Sequence, residues 1–354
     1  MEIFPQRELA VSIDFLEPAG LRPDGVAAAQ RVRFPPVRLV SMTGCDYGGL
    51  GLFRRDGAYH VAPDIFPDYI EPLARRSLEN GQSSVWFGGM LNDASAVVEL
   101  DRPAIVALHP NWIFGHFLLE MLPKLILLDR IADPAIPLLV AANGPGWMKT
   151  ILGEVSRRPL FEYDHKTSVV RAPECLALTN LAIGGWLRPE MRTAFELLRA
   201  GLLLQTGVGR QGDWLYISRR KTTSGWHKIA NEEEIEIALA EMGFAIIHPQ
   251  EYSFAQQVRL FHQARLVVGE YSSAMHNAVF CQPGACILCL NRINRYQEQI
   301  ASAFDHRIGF VKPKDGAFRD WSTQASGVQA LEFDPRHVRD AVEAIMRQGC
   351  PPPP

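Results

Sequence analysis

The chain has 354 residues, 47 % apolar and 21 % charged, with 36 Lys and Arg against 39 Asp and Glu for a net charge of −3. That balance lacks the basic excess of a general nucleic-acid binder, so nucleic acid is not an expected partner. The length supports about two domains with cores that need no disulfide or metal staple, and the composition excludes collagen-like and wholly disordered chains.

The opening MEIFPQRELAVSIDF has no basic stretch leading into an apolar run, which predicts no export signal. The most apolar segment, AIVALHPNWIFGHFLLEMLPKLILL, is interrupted by His109, Pro110, His116, Glu120, Pro123 and Lys124, so no spanning helix is expected. Six scattered cysteines read as reduced thiols. The expected compartment is the cytoplasm, with peripheral contact at the inner membrane left open.

Residues 1 to 100 are rich in Pro and Gly and show only short strand-like runs, LAVSIDF and RVRFPPVRLVSM. From there the pattern alternates. AIVAL (104–108) predicts a strand, 114–130 a helix that Pro123 kinks or restarts, IPLLVAA (136–142) a strand, and 147–155 a short helix. DWLYISRR begins a clearer series. Asn231 with Glu234 predicts a capping box, and Gly243 stops that helix. FAIIHP is a strand, Ser253 with Gln256 caps helix 254–264, RLVVGE is a strand, Ser273–Phe280 a short helix, and CILCL a strand. Asp334-Pro335 opens a last amphipathic helix with Val338, Val342 and Ile345 on one face, and the CPPPP tail cannot extend it.

Strands alternating with helices predict an α/β fold with a parallel sheet. Ligands of such sheets sit beyond the carboxyl ends of the strands. That rule selects Ser218, Arg219, Arg220 and Lys221, then His248, then Gly269 to Ser273, then Asn291 and Arg292. The cations at 219–221 suit an anionic group such as a diphosphate, or form a solvated basic turn. Ser272 and Ser273 open a helix, a second place for an anion. His276 and Asn277 follow in its first turns, with His276 read either as a site residue or as a satisfied interior histidine. Glu270, ending a central strand, suits a sugar or ribose hydroxyl, or a base. His116 and Glu120 share one helix face at i, i+4 in apolar surroundings, as a general-base pair or as a packing pair.

Metal binding is not expected. HExxH and Asp-x-Asp are absent, and Cys286 and Cys289 fall on opposite faces of one strand.

Taken in order, HFLLEMLPKL, Ser218-Arg219-Arg220, Asn231-Glu232, MGFAIIHP, SFAQQVRLFHQARLVVG and HNAVF resemble glycosyltransferase family 61 over residues 105–292. The resemblance implies a GT-B-like fold, two Rossmann-like domains facing a cleft. It places an N-terminal acceptor-side domain at 1–205 and a nucleotide-sugar donor domain at 206–332. Residues 333–354, the last helix and Pro tail, are expected to pack back on the N-terminal domain. It implies an inverting, metal-independent transfer to a glycan or lipid-linked glycan in capsule, lipopolysaccharide or exopolysaccharide synthesis. No cofactor is implied beyond the nucleotide diphosphate sugar itself, a UDP-sugar first among the candidates. Arg219, Arg220, Lys221, Ser272, Ser273, His276 and Asn277 would hold that donor, and His116, Glu120 or Glu270 would supply the base. The chain departs from the family pattern in three places. Tyr271-Ser272 stands for His-Gly, His227 or Lys228 for an Arg, and Cys289 for a Glu. A non-catalytic binding protein of the same fold, or another sugar-modifying transferase, is the competing reading.

Overall fold

The computed structural model describes residues 1–16, 21–24, 26–49, 52–62, 64–66, 70, 72, 96–109, 112–183, 186–204, 212–222, 229–319 and 330–349. The Pro tail, His227 and Lys228 lie outside them. The chain forms two compact units, residues 1–9 with 33–198, and residues 10–32 with 199–354. Strands Arg7–Ser12 and Ala29–Phe34 pair with each other and carry the chain from the first unit to the second and back.

The first unit holds a six-stranded sheet, Glu2–Phe4, Val37–Met42, Cys175–Leu178, Ala104–Ile105, Leu138–Ala141 and Leu160–Tyr163 in spatial order. The last four run parallel to one another, and Val37–Met42 is antiparallel to Cys175–Leu178. A five-stranded sheet made of Ala58–Val61, Leu52–Arg55, Asp46–Gly49, Ser168–Arg171 and Ala96–Glu99 adds to the same unit. Its core gathers Tyr47, Leu52, Phe53, Val106, Leu139 and Val169.

The predicted helix over 114–130 is a composite. One α-turn, Phe114–His116, runs into a π segment, Phe117–Met121, and then into an α-helix, Leu122–Ile131. Of the two expectations for Pro123, a kink or the start of a second segment, the second is the one seen. Pro123 sits in the first turn of Leu122–Ile131, where its missing N–H costs nothing. Arg158, itself buried, closes the other end. Its guanidinium donates to the carbonyls of Leu128, Ala132, Asp133 and Ile136 and to Asp129 Oδ1.

The second unit is a six-stranded sheet in which every neighbour is parallel. Its order is Ala245–Ile247, Trp214–Ile217, Leu266–Glu270, Cys286–Leu290, Arg307–Val311, Asp14–Phe15. Trp214, Tyr216, Leu266, Val268, Cys286, Leu288 and Leu290 share one face with Ile235 and Leu239 of helix Glu232–Ala240 and Val338, Val342 and Ile345 of helix Pro335–Arg347. Alternation turns Leu215, Val267, Ile287 and Cys289, all buried, to the other face. Cys286 and Cys289 are thus separated by the sheet.

Three expectations are corrected. Residues 10–32 belong to the second unit: Asp14–Phe15 pairs with Arg307–Val311, and Leu16 and Leu21 enter its core. The last helix packs on the second unit too, because its apolar face meets helix Glu232–Ala240 and the sheet rather than the N-terminal domain. Asn231 makes no side-chain cap. Its Oδ1 accepts from Phe333 N at 3.2 Å, so tertiary pairing takes the oxygen a capping box would use, while its Nδ2 donates to Phe333 O at 2.7 Å and to Glu234 Oε2 at 3.0 Å. Ser253 and Gln256 do form their capping box. Among the described residues, no helix is long and apolar enough to cross a membrane.

Candidate active site

In the first unit, the i, i+4 pair becomes a chain of three groups. Glu120 Oε1 lies 2.7 Å from His116 Nδ1, and Glu120 Oε2 lies 3.2 Å from His109 Nε2. The π segment, whose Leu122 N–H reaches back five residues to Phe117 O, sets Glu120 in this position. Burial pushes the Glu120 carboxyl up, but the hydrogen bonds from His109 and His116 outweigh it and hold the group well below the usual carboxylate range. Burial lowers the pKa of His109, keeping that imidazole neutral. Side-chain exposure separates the roles: 1 % for His109, 6 % for Glu120 and 21 % for His116. An ionised carboxylate accepts from each ring, which makes Nδ1 the protonated nitrogen of neutral His116 and Nε2 the basic one.

One turn further, buried Lys124 donates to Asn180 Oδ1 at 2.9 Å and to Ile65 O. Burial drives its pKa down to about 7, against the opposing pull of Glu120. Sequence reasoning missed His109, Lys124 and Asn180 as parts of this network. The strand-end rule applied to AIVAL would have selected His109, the residue that follows it.

In the second unit, the spatial order puts strand Trp214–Ile217 between Ala245–Ile247 and Leu266–Glu270, so the chain reverses its direction of progress there. Such a switch point opens a crevice at the carboxyl ends of the two diverging strands. Arg219 and Glu270 meet at that point, with Nη1 3.1 Å from Oε2. Glu270 is 1 % exposed, and its Oε1 has no hydrogen-bond partner among the described residues. Burial raises its pKa to about 8, although Arg219 pulls the other way. Arg219 N donates to Glu232 Oε1 at 2.8 Å, and Ser218 Oγ to Glu236 Oε1 at 2.6 Å, which fixes the turn after the strand.

The other two cations are drawn to acids. Arg220 pairs with Glu233 at 2.6 Å and Glu236 at 3.4 Å, and Lys221 with Glu251 at 2.7 Å. Gly269 is needed for close approach. A Cβ there would lie 2.8 Å from Met275 Sδ and 3.0 Å from Ile217 O. The short helix expected over Ser273–Phe280 is present and is of the 3-10 type. Its Met275 N–H is already taken by Ser272 O, so it offers fewer amides to an anion than an α-helical end. Ser272 Oγ is buried without a partner among the described residues. His276 is buried with its ring 5.5 Å from that of Tyr296. Asn277 Nδ2 donates to Gln257 Oε1 and Ala274 O, fastening this segment to helix Phe254–Gln263. Tyr271 donates its hydroxyl to Asn294 Oδ1, and Cys289 is fully buried. No group of three or more His, Cys, Asp or Glu able to hold a metal occurs among the described residues.

An imidazole steadied by a carboxylate, and a cation–carboxylate pair at the switch point of a parallel sheet, are parts of a group-transfer enzyme. Residues 114–288, from the α-turn Phe114–His116 to the Cys286–Leu290 strand, match the family model described as glycosyltransferase 61. The chain belongs to that family and is a glycosyltransferase. No curated protein matches it.

Proposed function

We propose that the protein transfers a sugar, with inversion and without a metal, from a nucleotide diphosphate sugar to a glycan or lipid-linked glycan in polysaccharide synthesis. The two units are read as the two domains of a GT-B fold. The observation that carries the mechanism is the His116–Glu120–His109 chain. Glu120 is held too strongly ionised to take a proton at neutral pH, and Glu270 is held too readily protonated to be a standing base. His116 is the exposed member of its chain and has the basic Nε2, so it is assigned as the base.

In this reaction the acceptor hydroxyl attacks the anomeric carbon as its proton passes to His116 Nε2. The bond from that carbon to the diphosphate oxygen breaks, and its electron pair leaves with the diphosphate. Arg219, with the segment opening at Ser272 and Ser273, balances that charge. Glu270 holds Arg219 and presents Oε1 to a hydroxyl of the donor.

The test has two parts. Purified protein with EDTA is screened by thermal shift against UDP, GDP, CMP and dTDP and their sugars. Protection by one nucleotide family that Arg219→Ala abolishes supports the donor assignment, and loss of all protection with EDTA sinks the metal-independent reading. Turnover of the protecting donor is then followed with anomeric analysis of the product. A retained configuration refutes the direct displacement.

A further inference from the structure

The His109 end of the buried chain borders a narrow pocket in the first unit, beyond the carboxyl ends of strands Ala104–Ile105, Leu138–Ala141 and Leu160–Tyr163. Trp112, Ala141, Met148, Tyr163 and His165 line it together with His109. Its volume is about 10 Å³, what a single water or hydroxyl oxygen requires. The indole Nε1 of Trp112 is buried and has no hydrogen-bond partner among the described residues. A buried N–H donor without an acceptor is uncommon in a folded protein, and a ligand oxygen is the simplest way to complete it.

We propose that this pocket is a subsite for one hydroxyl or hydroxymethyl arm of the sugar acceptor, whose oxygen accepts from Trp112 Nε1. The inference rests on reading His116 as the base, since the same His109 that walls the pocket bonds the carboxylate that steadies His116.

The chemistry of the wall selects the ligand. Among the described residues no Lys, Arg, Asp or Glu lines the pocket, so a phosphate or carboxylate arm would be buried there without a counter-charge. A hydroxyl is neutral, accepts from the indole and fits the volume. The rings of Trp112, Tyr163 and His165 offer apolar surface to the C–H groups that flank a sugar hydroxyl, with Trp112 and His165 edge to face at 5.7 Å. The donor sugar is assigned to the second unit, which leaves the acceptor as the occupant here.

The experiment reads the indole directly. Protein labelled with 15N at its seven tryptophans is titrated with the methyl glycosides of glucose, galactose, xylose and N-acetylglucosamine. The Trp112 signal is assigned by its loss in Trp112→Phe. The expected result is a saturable shift of that signal with one glycoside, abolished when Ala141→Leu or, independently, Met148→Phe fills the pocket. No shift with any glycoside, or a shift that survives the filled pocket in a variant whose other indole signals are native, overturns the proposal and leaves an ordered water as the occupant. Turnover plays no part in this readout. A pocket that fails leaves the His116 assignment standing, and full turnover by His116→Ala beside a saturable Trp112 shift refutes the base while keeping the subsite.

Discussion

His116 Nδ1 and Glu120 Oε1 are 2.7 Å apart across the join between an α-turn and a π segment. The π segment begins immediately after His116, so the pair straddles two helical geometries. One carboxylate at that join serves two imidazoles, His116 four residues before it and His109 eleven residues before it. Single π-turns inside α-helices recur at functional sites.

If His116 is the base, His116→Ala lowers kcat by about 10²–10⁴-fold with little change in donor affinity. Added imidazole partly restores turnover, because it replaces the lost ring nitrogen. Steady-state kinetics with and without imidazole checks this, and an unchanged kcat excludes the assignment.

Glu120→Gln leaves the two buried ring nitrogens facing an amide instead of a carboxylate. The cost is about 3 kcal/mol, in the range for breaking one partner of a buried charged network. The depressed carboxyl contributes stability that is present above its ordinary value of 4.5 and is lost as pH falls through the folded value. Urea melts of the two proteins therefore converge in acid, and parallel curves below pH 4.5 would contradict the network.

Glu270 titrates in the opposite sense. Its folded value, about 8, lies above the ordinary 4.5, so the folded state holds the extra proton between them and stability falls as pH rises through that window. Glu270→Gln keeps an acceptor for Arg219 and removes the titration. Its melting temperature is expected to change less than the wild type's between pH 5 and pH 8, as a thermal-melt series reads directly.

Gly269→Ala places a methyl group 2.8 Å from Met275 Sδ and 3.0 Å from Ile217 O. The expected loss is about 1–3 kcal/mol from overpacking, with a weaker nucleotide-induced thermal shift because the turn into Ser272 moves. A variant as stable as the wild type shows that the strand ends separate freely.

Arg158→Met uncaps the end of helix Leu122–Ile131: the carbonyls of Ala132 and Ile136 lose its N–H groups, those of Leu128 and Asp133 keep the backbone N–H groups of Ala132 and Ile136, and Asp129 loses its cation. A loss of about 3–5 kcal/mol is expected by chemical denaturation.

What the sequence by itself determined was the alternation of strand and helix from Trp214 to Leu290, the capping box at Ser253, the helix opened by Asp334, and the family. Those features are local: apolar runs of strand length, polar residues at cap spacing, and an ordered set of short blocks. It also brought His116 and Glu120 onto one face, because that spacing is fixed by a helix turn. The tertiary structure alone decided the rest. It placed strand Trp214–Ile217 at the switch point and so brought Arg219, rather than Arg220 or Lys221, onto Glu270, fifty-one positions away. It drew residues 10–32 into the second unit through a two-residue edge strand too short to show any period. It joined His109 to Glu120 and turned Asn231 toward Phe333, 102 positions on. Each is a pairing between groups distant along the chain, and such pairings leave no repeat in the sequence because they depend on strand order and on which buried polar atoms must find partners.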